Sequence, residues 1–131
     1  MILLAALVAA SLVGQKTLSA SKAWIKAPAA GETTATAYVV VDNPTMYDVY
    51  LMSASTDAAG RAQFQKVVAG KAEPVEAVIA PAYDSVELKP EGNQILLTDL
   101  KRPLAVGDKI TLFLTTDGGL TIEVEAEVRK N

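Results

Sequence analysis

The 131-residue sequence contains no histidine and no cysteine. Imidazole and thiolate are the usual general bases, nucleophiles and zinc or copper ligands, so their absence removes most hydrolytic mechanisms and most soft-metal sites. Without cysteine there is no disulfide, no zinc cluster and no acceptor for lipoprotein-type acylation within these residues. Charge is sparse and mixed: 12 basic and 15 acidic residues give a net charge of −3, with no basic stripe of the kind that neutralises phosphates. Nucleic acid is therefore not an expected partner. Gly118-Gly119 is followed by no Lys-Ser/Thr, so no phosphate-binding loop is present either. A serine nucleophile would lack its base, and no pair of carboxylates shows an acid/base pattern, so no catalytic residue is assigned and an enzyme is not expected.

What is present is apolar. Half of the positions are hydrophobic and 21% are charged, which suits one globular domain. Residues Ile2 to Gly14 form an unbroken apolar or small run, and the first charged side chain is Lys16. The run is shorter than the roughly 20 residues that cross a bilayer, and it reads as the hydrophobic region of a signal peptide cut near Gly14, with a retained anchor as the alternative. Two segments are thus expected: 1–14, an export or anchor segment, and 15–131, a single domain outside the cytoplasm. The domain would touch a membrane only if the first segment is kept, in which case the alternative function is a structural or accessory subunit of a membrane-associated complex.

Beyond Lys16 the pattern changes to period-two alternation broken by turn chemistry, the mark of half-buried strands. Ala35, Ala37, Val39 and Val41 share a face before the turn signal Asp42-Asn43-Pro44. Val49, Leu51 and Ser53 continue a second strand. Arg61–Val68 and Ala72–Ile79 flank Ala69-Gly70-Lys71, a hairpin signal, and Ser85–Lys89 and Gln94–Thr98 flank Pro90-Glu91-Gly92-Asn93. Ile110, Leu112 and Leu114 precede Asp117-Gly118-Gly119, after which Ile122, Val124, Ala126 and Val128 alternate with Glu123, Glu125 and Glu127. The glutamates read as a solvated outer face, with protection of a sheet edge as a further use. No amphipathic helix of ten residues is evident. Eight or nine short strands at this spacing predict an all-β Greek-key sandwich or barrel.

Several blocks, in order and spacing, carry a resemblance: Ala23-Trp24-Ile25-Lys26-Ala27-Pro28, Ala37-Tyr38 through Asn43-Pro44, Ala58-Ala59-Gly60-Arg61, and Val86-Glu87-Leu88-Lys89-Pro90 with Gly92. From residue 22 to 128 the chain resembles the periplasmic PCu(A)C copper chaperones. The resemblance implies a cupredoxin-like barrel, an extracytoplasmic location and Cu(I) carriage for assembly of cytochrome oxidase. In that family copper sits between a His and a Met on one hairpin and a His-x-Met pair on a later strand, soft donors matched to a soft ion. The matching positions here are Gln65, Ala72, Gln94 and Leu96, and the hairpin between Gln65 and Ala72 is about four residues short of the family pattern.

None of these four side chains is a soft donor, so no copper or other cofactor is expected, and the resemblance points instead to a protein partner at the cell envelope. Gln65 and Gln94 read as polar surface bonded across two neighbouring strands, or, with Tyr83, as part of a recognition patch. A separate thioether site at Met46 and Met52 is a further candidate, set against the ordinary use of methionine as core filler. Tyr38, Tyr47, Tyr50 and Tyr83 could line a groove, and Trp24 reads as a core anchor.

Overall fold

The computed structural model describes residues 17–130, and the expectations for the Ile2–Gly14 run lie outside the described residues. Within them the chain is all β, as its alternation predicts. The strands are β1 (Ser19–Lys26), β2 (Ala35–Asn43), β3 (Val49–Thr56), β4 (Ala59–Val68), β5 (Lys71–Pro74), β6 (Val78–Ala80), β7 (Asp84–Leu88), β8 (Asn93–Leu100), β9 (Lys109–Thr116) and β10 (Thr121–Arg129). Ten strands replace the expected eight or nine, chiefly because the run Ala72–Ile79 is two strands. β5 ends at Pro74, and after a last bond from Val75 N to Phe64 O (3.1 Å) the chain leaves β4 to pair β6 with β3.

Hydrogen bonds link the strands in the order β5-β4-β8-β2-β1-β10-β9-β3-β6, with β7 pairing onto β2. The two ends of this path, β5 and β6, are joined by Val75–Ala77 alone. Four Cα steps span at most about 14 Å, so the sheet must curl until its edges nearly meet. The short link β3–β4, two strands far apart along the path, closes the other corner. Full or near closure leaves little unpaired edge.

One face of every strand but the exposed β5 fills the interior. Ile25, Val39, Val41, Leu51, Leu88, Ile95, Leu97, Leu112, Leu114 and Val128 are fully buried and belong to one cluster. Each such side chain contributes about 1.5–3 kcal/mol of burial, which makes this cluster the main source of stability. Leu18 joins it from just before β1.

Two bulges shift the phase that simple alternation predicts. The register of β3 against β9 slips between Leu51 and Ser53, so Met52 and Ser53 both face out and Ala54 and Thr56 return inward. Ser53 is thus not on the Leu51 face. On β1 the slip lies between Ser21 and Trp24, with Lys22 at φ 53°. Ala23 and Ile25 consequently point inward, and Trp24 sits on the outer face instead of anchoring the core. There its ring packs on Tyr38 at 4.6 Å and lies under the Arg129 guanidinium at 5.5 Å. Glu123, Glu125 and Glu127 are exposed as expected, but β10 lies between β1 and β9, so they guard no edge.

Candidate functional site

The β4–β5 hairpin is set by Ala69 and Gly70, both at positive φ (53° and 79°), the two-residue loop whose twist matches that of its strands. β4 pairs along its length with β8, and Phe64 opposite Ile95 and Ala62 opposite Leu97 fix that register from the core side. The alternate residues form the outer face. Gln65 lies directly opposite Gln94, and Gln63 opposite Leu96. Ala72 lies opposite Val67, which shares its face of β4 with Gln65. The four positions 65, 72, 94 and 96 therefore fall on one outer face across three adjacent strands.

At its centre Gln65 Nε2 donates to Gln94 Oε1 at 2.8 Å. Gln94 is only 7% exposed although it points away from the core. Leu96, half buried, borders a hollow of about 250 Å³ shared with Lys26 and Thr36. The Thr36 and Tyr38 hydroxyls are bonded at 2.8 Å and continue this face toward Trp24. An amide–amide pair, a methyl and an isobutyl group offer only a neutral, hard oxygen to a metal, and such a set does not fit Cu(I). Among the described residues no group of three or more Asp or Glu converges as a metal cluster.

Tyr83 is not part of this arrangement. Asp84, next to it, pairs with Asn43, whereas Ile95, next to Gln94, pairs with Ala37. Those points are six residues apart along β2 (43 − 37), or roughly 20 Å. Tyr83 instead borders a hollow of about 420 Å³ with Pro44, Thr45, Met46 and Tyr47. Met46 and Met52 are both exposed, so neither is core filler, and Met52 is not among the residues of that hollow. Of the four tyrosines Tyr38 is buried, and Tyr47, Tyr50 and Tyr83 gather near the Asn43 end of β2.

Sequence reasoning missed the residue that builds that end. Asn43 is wholly buried; its Nδ2 donates to the carbonyls of Ala80 (2.8 Å) and Tyr47 (2.9 Å). Its Oδ1 accepts from Thr45 N (3.0 Å) and Thr45 Oγ1 (2.7 Å). The turn signal was legible, but its long-range bond to β6 was not.

Comparison with known proteins decides the family. Residues 18–128 match the family described as "Putative lipoprotein LpqE-like". The chain belongs to this LpqE-like family. The "Putative lipoprotein Lxx21020" of Leifsonia xyli subsp. xyli is 32% identical over 114 residues, covering 83% of this chain and 68% of that relative. Among solved structures, the copper-bound PCuAC domain from PmoF2 superposes with a TM-score of 0.75 at 23% identity, over 88% of this chain and 94% of that one. The solution structure of the Cu(I) form of DR1885 from Deinococcus radiodurans gives 0.71 at 26% identity, over 94% and 87%. This LpqE-like chain thus has the PCuAC fold, the cupredoxin-like sandwich that its sequence blocks imply.

Proposed function

We propose that this chain is an extracytoplasmic PCuAC-type domain that has lost the family's copper donors and works by contact with a protein partner, without catalysis and without carrying Cu(I). The observation that carries the reading is the Gln65–Gln94 amide bond at the positions matched to the two histidines. A neutral pair joined by one hydrogen bond in place of two soft donors supports the reading. The retained fold and the lipoprotein name of its relative favour a role at the cell envelope, with the apolar run Ile2–Gly14 kept as its tether. The partner belongs to the assembly of respiratory copper enzymes, cytochrome oxidase foremost, the setting in which the resemblance puts such domains.

The test is a Cu(I) titration of the parent against a competing chelator beside a variant carrying Gln65→His, Ala72→Met, Gln94→His and Leu96→Met. The parent is expected to leave the chelator loaded and the variant to withdraw one Cu(I). Tight stoichiometric binding by the parent overturns the proposal. Failure of a folded variant to bind would show that these positions do not form the site.

A further inference from the structure

The barrel has two ends, and the hydrophobic surface is distributed unequally between them. At the end where β2 stops, Met46 is 60% exposed, Tyr47 70% and Tyr83 72%. They lie on two loops tied together by Tyr83 N donating to Thr45 O at 3.0 Å. The third loop of this end, Asp117–Gly119, is joined to β3 by Asp117 N donating to Tyr50 O, and presents the exposed Leu120. Asn43 and Asp48, through Tyr47 O, Ala80 O and Ala82 N, hold the first two loops in shape. The tyrosines are displayed on braced loops. The opposite end offers Val106.

The same end is where the N-terminal chain enters. Ser19 pairs with Asp42, and Leu18 is already in the core. Between Leu18 and the last residue of the apolar run, Gly14, lie only Gln15, Lys16 and Thr17. Four Cα steps reach at most about 14 Å. If the run is held in a bilayer, this end of the barrel lies at the headgroup layer. Tyrosine, with an apolar ring and a polar tip, is the residue type that favours that layer.

We infer that the Met46–Tyr47–Tyr83 end is a membrane-seating surface that fixes the domain upright on the lipid interface; the inference rests on the tether proposed above. Its chemistry specifies the lipid. No Lys or Arg occurs from Asp42 to Gly60 or from Pro74 to Leu88, while Asp48, Asp84 and Asp117 accept from backbone N–H groups of these loops. The loops themselves therefore add no electrostatic attraction for anionic headgroups beyond that of Lys16 in the tether, and they suit a zwitterionic surface. Seated in this way, the barrel keeps the Gln65–Gln94 face along its side, open to a partner.

The cysteine-free chain allows single reporters. Tyr47→Cys, Tyr83→Cys and Val106→Cys are each made in the full chain, labelled with an environment-sensitive fluorophore and mixed with phosphatidylcholine vesicles bearing doxyl quenchers. The labels at 47 and 83 are expected to shift to the blue and lose emission to the quencher, and the label at 106 to do neither. Adding phosphatidylglycerol leaves the response unchanged or weakens it. If the chain floats with the vesicles but the labels at 47 and 83 behave like the one at 106, the seating surface is refuted, and the patch is left to a cationic protein. If the chain does not float with vesicles at all, the tether itself fails, and the inference with it.

Discussion

Replacing Asn43 by alanine tests whether one buried amide holds the loop end of the barrel together. The side chain makes four hydrogen bonds, two donated to the carbonyls of Ala80 and Tyr47 and two accepted from Thr45. Tyr47 and Thr45 lie toward solvent and can be rehydrated, so each of their bonds is worth about 1 kcal/mol net, whereas the Ala80 carbonyl is stranded in the interior and costs about 1–3 kcal/mol. The sum is about 4–6 kcal/mol, which for a domain of this size lowers Tm by roughly 15–20 °C. Urea unfolding followed by the single Trp24 measures it, with the slope expected to stay constant while the midpoint falls. Asn43→Asp has the same volume and keeps the two accepted bonds, but it turns a carboxylate toward two carbonyl oxygens. Burial and those oxygens raise its folded pKa above the unfolded value, so its deficit is largest at neutral pH and shrinks as pH falls through the folded pKa. An Asn43→Ala protein within about 1 kcal/mol of the parent, or an Asn43→Asp protein as stable as the parent at neutral pH, would refute the reasoning.

Two further substitutions probe the β4–β8 ladder. Thr98 Oγ1 is buried with no hydrogen-bond partner, so Thr98→Val exchanges an unsatisfied hydroxyl for a methyl of the same shape and is expected to stabilise by about 1 kcal/mol in urea unfolding. Gly60 lies where an added Cβ would meet Asp99 Cβ at 3.0 Å, and Asp99 itself is at φ 56°. Gly60→Ala should therefore cost about 1–3 kcal/mol, read as a lower urea midpoint.

The fold was legible because alternation is a direct image of the two faces of a strand: β2, β9 and β10 lie where Val39, Leu112 and Val128 put them. What was not legible depends on partners distant in sequence. The bulge at Met52–Ser53 arises from the pairing of β3 with β9, and the slip before Trp24 from the pairing of β1 with β2. No local pattern announces either, so alternation through Leu51 and Ser53 does not reveal the bulge, and the core-anchor reading of Trp24 puts it on the wrong face. The break after Pro74 is masked by alternation that runs on from Ala72 to Ile79, and the proline stands opposite Gln65 at a position where no ladder bond is lost. At the candidate site, the opposition of Gln65 and Gln94 could be anticipated from the resemblance alone. The separation of Tyr83 from them needed the register of both β7 and β8 on β2.

The β4–β8 register explains how such a site can change its chemistry without losing its shape. Phe64 against Ile95 and Ala62 against Leu97 set the pairing from inside the barrel, and none of these side chains faces the Gln65–Gln94 surface. Whatever occupies positions 65 and 94 is consequently brought face to face by residues that do not depend on it. Two neutral imidazoles so placed leave acceptor nitrogens that a cation can satisfy, whereas the two amides join through one bond from Gln65 Nε2 to Gln94 Oε1. The same independence predicts that returning His at both positions leaves the register intact, so that the copper titration of that variant reads donor chemistry and not refolding.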